Sequence, residues 1–117
     1  MTDKITVDDF FKVEMRVGKV IEAIDVEKSE KLIRLRVDFG PHFAEATRGG
    51  QFLTIFTGVR IYGYSAKDFQ DKQFLFVVNL EYKKIMEEES QGMILAVGEE
   101  KPIFISAEGM PVGAKVR

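Results

Sequence analysis

Residues 33–39, Ile-Arg-Leu-Arg-Val-Asp-Phe, show the clearest alternation of apolar and polar side chains in the sequence. Successive side chains of a β-strand point to opposite faces of the sheet. The apolar residues of this stretch are therefore predicted to face a core, and Arg34, Arg36 and Asp38 to form a wet, mainly basic face. Gly40-Pro41 then ends the strand.

Apolar segments on both sides of this strand predict the rest of a small sheet. Strand-like patterns occur at residues 14–24, 51–57, 73–80 and 92–97, and short extra strands are predicted in an appended tail at residues 103–106 and 112–116. Gly18 is expected to bend the first strand or to form a β-bulge, because barrels need such corners. Many short strands with glycine-rich turns favour a small barrel or sandwich.

The connections between the strands narrow the choice of barrel. Residues 42–50 are expected to form a loop with Arg48-Gly49-Gly50 at its tip. Ser65 and Asp68 have the spacing of a helix start, so a short helix should carry Phe69 onto the core. Five strands with a short helix between strands 3 and 4 is the layout of an OB-fold barrel. The predicted fold class is therefore all-β.

The composition restricts the class of protein. The chain has 117 residues, 45% hydrophobic and 31% charged, which is typical of one soluble domain over residues 1–117. We expect the barrel core at about residues 14–98, flanked by residues 1–13 and 101–117. The sequence contains no cysteine, which excludes disulfides and thiol chemistry. It shows no signal-peptide pattern and no apolar run of ~18 residues, so we expect a cytoplasmic protein without membrane contact.

Candidate catalytic and metal-binding groups are sparse. His42 is the single histidine and follows Pro41 in the predicted loop, without the spacing of a metal motif. The sequence has no Gly-x-Ser-x-Gly elbow and no phosphate-binding Gly-x-x-x-x-Gly-Lys loop. The consecutive carboxylates at residues 87–89 cannot all face one ion on a regular element. We therefore expect neither enzymatic activity nor a metal or other cofactor.

The charge distribution leaves room for a local anion-binding surface. The formal net charge is −2, whereas nucleic-acid-binding domains are usually basic. However, Arg34 and Arg36 project from one strand face ~7 Å apart, close to the spacing of adjacent phosphates. One patch could contain Lys28, Lys31, Arg34, Arg36, Arg60, Lys83 and Lys84. The alternative is that these charges only solvate the surface.

The stretch over residues 77–95 places an amide, two ammonium groups and a hydroxyl near one sheet edge. Asn79 can donate to and accept from a base edge, Ser90 adds a hydroxyl, and Met93 offers a soft apolar surface. Lys83-Lys84 is predicted to lie in the loop between the fourth and fifth strands, which helps to frame oligonucleotides in OB-folds. The alternative roles are a turn cap for Asn79, a turn hydroxyl for Ser90 and core packing for Met93.

Segments along nearly the whole chain resemble the tRNA-binding domain family, which includes stand-alone dimeric tRNA-binding proteins and the C-terminal domain of methionyl-tRNA synthetase. The segments are residues 9–20 (Asp-Phe-Phe-Lys-Val-Glu-Met-Arg-Val-Gly-Lys-Val), 30–40, 55–59, 77–80, 89–96 and 111–116. The resemblance implies an OB-fold that binds tRNA without catalysis, by shape and backbone. The implied tRNA contacts are Lys31, Arg36, Asn79, Lys83, Lys84, Ser90 and Met93.

The resemblance also implies partners. Small stand-alone members of the family pair through the segments that flank the barrel, which implies a homodimer interface at Phe10, Phe11, Ile103 and Ile105. An aminoacyl-tRNA synthetase is a further implied partner. Two alternatives share the fold: a CsaA-like export chaperone that binds unfolded peptide segments, and a structural module that docks on a synthetase without binding nucleic acid.

Overall fold

The computed structural model describes residues 2–46 and 50–117, so Arg48 and Gly49 of the predicted loop tip lie outside the described residues. The helices are α1 (Val7–Phe10), α2 (Pro41–Ala46) and the 3₁₀ helices Arg60–Tyr62 and Ala66–Asp68. The strands are β1 (Met15–Asp25), β2 (Ile33–Asp38), β3 (Phe52–Thr57), β4 (Gln73–Val77), β5 (Lys83–Ile85), β6 (Glu88–Ser90), β7 (Met93–Ile94), β8 (Ala96–Val97) and β9 (Ile103–Phe104).

Five of these strands form one antiparallel sheet in the order β3-β2-β1-β4-β7. The sheet curls into a nearly closed barrel, in which the residue after β6 reaches the outer edge of β3. There the Gln91 N–H donates to the Thr54 carbonyl oxygen over 2.8 Å. The predicted all-β OB-like barrel is confirmed.

The predicted helix between the third and fourth strands is the 3₁₀ helix Ala66–Asp68. The Asp68 carboxylate accepts a hydrogen bond from the Ser65 N–H over 2.8 Å, which is the reciprocal arm of a capping box. Phe69 follows the helix and is 1% exposed. The prediction that this helix delivers Phe69 to the core is therefore confirmed.

The core lies between the inner faces of the barrel strands. The apolar residues of the stretch 33–39 are all buried, as their alternation predicts. The Phe39 and Phe76 rings meet edge to face with centroids 5.5 Å apart. Burial of such side chains supplies the main favourable free energy of folding.

The β-bulge of β1 lies at Ile21 and not at Gly18. The pairing of β1 with β2 shifts between Val20 and Glu22, which makes Ile21 the extra residue of a bulge. Gly18 pairs regularly with Phe74 of β4. The prediction of a bulge at Gly18 is therefore wrong, and this glycine has a packing role.

Residues 41–46 form helix α2, where the sequence predicted a loop. Pro41 fits the first helical position, because an N–H there has no partner within the helix. Phe43 becomes buried, with its ring centroid 5.0 Å from that of Phe39. A helix of six residues is too short to show a helical period in the sequence, which explains the wrong prediction.

The connection between β4 and β7 is a β-hairpin, where the sequence predicted an irregular loop. β5 pairs with β6 across a tight turn at Met86-Glu87. Met86 has φ 58°, a left-handed conformation that residues other than glycine rarely adopt. The usual Asn-Gly signal of such a turn is absent, which explains why the hairpin was not predicted.

The tail follows the prediction in its first half only. Residues 103–104 form β9 and pair with β8. Residues 112–116 contain no strand, although the Gly113 N–H donates to the Val17 carbonyl over 2.8 Å and the Val17 N–H to the Ala114 carbonyl over 2.9 Å. This segment therefore lies along β1 without forming a strand, and Lys115 makes an isolated antiparallel bridge with Arg16.

Gly18→Ala should lower the free energy of unfolding by about 1–3 kcal/mol, as overpacking of a filled core does. The added Cβ would lie 2.5 Å from Val37 Cγ1, 2.7 Å from Phe39 Cε1 and 2.9 Å from Phe76 Cδ1. Urea denaturation followed by circular dichroism measures the change. Gly58→Ala is the matched control, because its Cβ would meet only the Lys31 Cδ at 3.9 Å. Equal stability of the two variants would contradict the packing role of Gly18.

Candidate nucleic-acid interface

A groove of about 860 Å³ runs beside the hairpin β5–β6, and we call it the Phe56 groove. Its apolar lining is Leu32, Phe56, Ile61, Leu80, Ile85 and Met93. Its polar lining is Lys31, Glu81, Lys83 and Ser90, with Gly58 and Gly92 completing the wall. Four of the predicted site residues therefore line one cavity: Lys31, Lys83, Ser90 and Met93.

The two lysines of the hairpin lie on opposite faces of β5. Lys83 is paired with Ser90 and Lys84 with Glu89, and paired residues share a face. Lys83 and Ser90 line the Phe56 groove, whereas Lys84 and Glu89 project from the other side of the hairpin. The structure thus separates two side chains that the sequence treated as one phosphate-binding unit.

Arg34 is held by acidic side chains. Its Nε donates to both carboxylate oxygens of Glu88, over 3.0 and 3.1 Å, and its guanidinium lies 3.7 Å from Glu22. The ion pair ties β6 to β2. It borders a second groove of about 430 Å³, which Glu87 and Glu88 also line. Of residues 87–89, Glu89 lies on the far face of the hairpin, whereas Glu88 shares the face of Lys83 and is paired with Arg34.

Arg36 and Arg60 are also engaged within the chain. The Arg36 Nη1 donates to the Thr54 hydroxyl over 3.0 Å, and its guanidinium lies over the Phe52 ring at 5.6 Å. The Arg60 Nη1 donates to the Val26 and Ser29 carbonyl oxygens over 3.1 and 2.6 Å, which shapes the β1–β2 loop. The two arginines therefore order the outer face of the barrel and the loop beside the groove.

Lys31 occupies the end of that loop. Its N–H donates to the Ser29 hydroxyl over 3.2 Å, and its carbonyl oxygen accepts from the Arg60 N–H over 3.1 Å. These bonds hold the Lys31 backbone, while the residue itself is exposed. The loop thus places the exposed Lys31 side chain at the wall of the groove.

Asn79 uses its amide to join the N-terminal segment to the end of β4. Its Oδ1 accepts from the Glu14 N–H over 2.8 Å, and its Nδ2 donates to the Lys12 carbonyl over 2.6 Å. Asn79 does not line the Phe56 groove. The geometry therefore favours the structural alternative that the sequence left open for this residue.

Ser90 and Gln91 close the barrel with their side chains. The Ser90 hydroxyl accepts from the Phe56 N–H over 3.0 Å, and the Gln91 Oε1 accepts from the Thr54 N–H over 2.8 Å. Both donors belong to the edge of β3 that β2 does not cover. We call these contacts between residues 90–91 and the outer edge of β3 the barrel seam. Ser90 is only 8% exposed, so its hydroxyl is occupied mainly by the bond at this seam.

Phe56 is the aromatic residue among the groove residues that the sequence analysis did not name. Leu53 and Ile55 point inward, so Phe52 and Phe56 occupy the outer face of β3, in register with Asp38 and Arg34 of β2. The available signal was the alternation along β3, because a residue next to the inward-facing Ile55 faces outward. Met93, predicted as an apolar contact surface, is 47% exposed in the same groove.

The predicted dimer segments present apolar side chains to solvent. Phe10 and Phe11 are 41% and 40% exposed, and Ile103 and Ile105 are 58% and 37% exposed. The Thr6 hydroxyl caps α1 by accepting from the Asp9 N–H over 3.0 Å. Nothing in the described part of a single chain buries these side chains.

Other classes of site are not found in the described residues. No group of three or more His, Cys, Asp or Glu in residues 2–46 and 50–117 is arranged to hold a metal ion. The helices described here include none that is both long and apolar enough to cross a bilayer.

The barrel and its lysine-rimmed groove are typical of an oligonucleotide-binding OB-fold. Residues 15–115 match the family model described as "Putative tRNA binding domain", and the chain belongs to that family. It is similar to the methionine–tRNA ligase of Methanocorpusculum labreanum, with 38% identity over 96% of this chain and 15% of the relative. It is also similar to methionine–tRNA ligase 1 of Bacillus cereus, with 37% identity over 98% of this chain and 16% of the relative.

The chain thus spans about a sixth of the length of these ligases. Among solved structures, a MetRS-related protein from Pyrococcus horikoshii aligns with a TM-score of 0.82 and 35% identity, over 99% of this chain and 100% of that one. The CsaA chaperone protein from Picrophilus torridus aligns with a TM-score of 0.80 and 23% identity, over 97% and 100%. At that identity, the second likeness concerns the fold alone.

Ser90→Ala should lower the free energy of unfolding by about 1–3 kcal/mol, because it leaves the Phe56 N–H without its acceptor at the barrel seam. Urea denaturation measures the loss. Glu89→Ala is the control, since Glu89 is exposed on the outer face of the same strand and its removal should cost less than ~0.5 kcal/mol. A Ser90→Ala protein as stable as the parent would contradict the seam role.

Proposed function

We propose that this chain binds tRNA without catalysing a reaction, and that the Phe56 groove is the contact surface. The observation that carries the proposal is the pairing of an apolar groove with two exposed ammonium groups, those of Lys31 and Lys83, in a member of the tRNA-binding domain family. Ammonium groups bind phosphates as point charges. The apolar lining supplies area for the sugar and base.

The three arginines of the predicted patch have supporting roles in this proposal. The three arginines already bond within the chain. Glu88 partly neutralises the charge of Arg34, and the guanidinium groups of Arg36 and Arg60 hold the Thr54 side chain and the β1–β2 loop. Contacts to phosphate then fall to the lysines, and most directly to Lys31 and Lys83. A binding surface built from few charges is compatible with the net charge of −2.

We further propose a cytoplasmic homodimer that pairs through its flanking segments, with residues 1–13 and 101–117 outside the barrel core. The exposed Phe10, Phe11, Ile103 and Ile105 supply the apolar surface that an interface of this kind buries. Synthetase association is proposed from the methionine–tRNA ligases, whose matching part is this domain. The domain would then raise the local concentration of tRNA near a synthetase.

The alternative is a peptide-binding chaperone, for which the apolar lining of the groove is the favourable observation. An unfolded segment would use the apolar lining but has no general need for two lysines. The higher identity to the ligases than to the chaperone of the same fold also favours tRNA.

Titration of a fluorescently labelled folded tRNA, followed by anisotropy at several salt concentrations, tests the proposal. Binding should weaken as salt rises, because phosphate contacts release counterions. Lys83→Ala should weaken binding and reduce the slope of log K against log salt by roughly one unit. A labelled unfolded peptide runs beside the tRNA.

Lys84→Ala is the matched control, with the same charge on the same strand but on the opposite face. It should change the slope by clearly less than Lys83→Ala does. Equal effects of the two variants would remove the groove from the site. Peptide binding by a chain that leaves tRNA free would favour the chaperone.

Sedimentation equilibrium of the full chain tests the dimer. The parent should sediment at twice the 13.3 kDa chain mass, and the double variant Phe10→Ser/Phe11→Ser should shift toward one chain mass, because it removes exposed apolar area. Ile61→Ser is the control, since Ile61 is 67% exposed outside the flanking segments. A parent chain that sediments as a monomer at high micromolar concentration would contradict the dimer proposal.

A further inference from the structure

Phe52 and Phe56 lie on the same outer face of β3 but have different neighbours. The Phe52 ring is covered by the Arg36 guanidinium at 5.6 Å. Within the described residues, no aromatic ring or cationic group stacks on Phe56. Phe56 is half-buried and lines both the Phe56 groove and the second groove beside it. Its ring therefore has no aromatic or cationic stacking partner within the described part of the chain.

The residues around Phe56 indicate the chemistry of a ligand that would fit the groove. Leu32, Ile61 and Met93 offer apolar walls, and Lys31 and Lys83 place positive charge at the same cavity. A ligand that joins a planar apolar ring to a nearby anionic group matches this combination. A nucleotide has that chemistry, because every base has a π-face and every link of the backbone carries a phosphate.

A base can use this surface only when it is unpaired. In a double helix both faces of a base are covered by its neighbours, whereas bases in loops and at ends can be splayed out and stacked on aromatic side chains. We propose that the Phe56 groove holds one unpaired nucleobase, stacked on Phe56, with Lys31 and Lys83 at the adjoining phosphates. The inference rests on the proposed function and deepens it, because it selects the unpaired parts of a tRNA as the element that is recognised.

The second groove, which Phe56 also lines, holds the acidic side chains of Glu27, Glu87 and Glu88. The Arg34–Glu88 ion pair holds β6 against β2, and Glu89 projects from the opposite face of the hairpin. Among the described residues, Glu81 is the one acidic side chain that lines the Phe56 groove. The acidic run at residues 87–89 is therefore compatible with an anionic ligand in this groove.

The test uses the full chain and three probes: folded tRNA, a short single-stranded RNA with one 2-aminopurine, and a fully paired RNA stem. The chain has no tryptophan, so emission at long wavelength reports the 2-aminopurine alone. Stacking on Phe56 should change that emission on binding. Phe56→Leu keeps an apolar side chain without the ring. This variant should weaken the binding of tRNA and of the single-stranded RNA roughly tenfold.

The salt dependence and the control variants separate stacking from charge and from folding. Phe56→Leu should leave the salt slope unchanged, because no phosphate contact is lost. Phe56→Tyr keeps the ring and should bind within about twofold of the parent. Phe52→Leu removes a ring of the same face that Arg36 already covers, and it should also stay within about twofold. Thermal unfolding of each variant confirms that it is folded.

The outcomes distinguish this inference from the proposed function. Unchanged tRNA affinity in Phe56→Leu would overturn the stacking subsite and leave tRNA binding intact. A parent chain that binds the paired stem as well as the single strand, with no change in 2-aminopurine emission, would overturn it too. Phe56-dependent binding of the single strand without binding of tRNA would support the subsite and overturn the proposed function.

Discussion

The hydrogen bonds that Ser90 and Gln91 make to the outer edge of β3 close the barrel, and the groove depends on them. A strand edge presents N–H and C=O groups that need partners. Here two side chains and one backbone N–H provide them. The same contacts bring the hairpin β5–β6 beside Phe56. Ser90 and Phe56 therefore belong both to the barrel seam and to the wall of the candidate site.

The cations divide into two groups by chemistry. The arginines bond carboxylates, carbonyl oxygens and an aromatic ring inside the chain, which suits the planar, many-donor guanidinium. Lys31 and Lys83 are exposed and line the groove, where a compact ammonium on a flexible stem suits a mobile anionic backbone. A chain with net charge −2 can in this way offer a positive local surface.

Close packing at Gly18 and pairing at Asn79 hold the parts of the chain on which this surface rests. Gly18 has only the space of a hydrogen atom beneath the side chains of Val37, Phe39 and Phe76, so these core side chains pack directly against β1. Asn79 joins the N-terminal segment, which carries the exposed Phe10 and Phe11, to the end of β4. The candidate dimer segment is thus attached to the barrel beside the strand that leads into the hairpin.

The sequence by itself determined the all-β class, the inward faces of the barrel strands and the helix that delivers Phe69, because apolar alternation and capping are local signals with a fixed period or spacing. Four of the tRNA contacts implied by the family resemblance, Lys31, Lys83, Ser90 and Met93, line one groove in the structure. Only the tertiary structure decided which face Lys84 occupies, that Asn79 and Ser90 bond within the chain, and that Phe56 is an uncovered ring. The face of Lys84 depends on the hairpin turn at Met86-Glu87, and the other facts depend on contacts between segments far apart in the sequence, which no short-range pattern specifies.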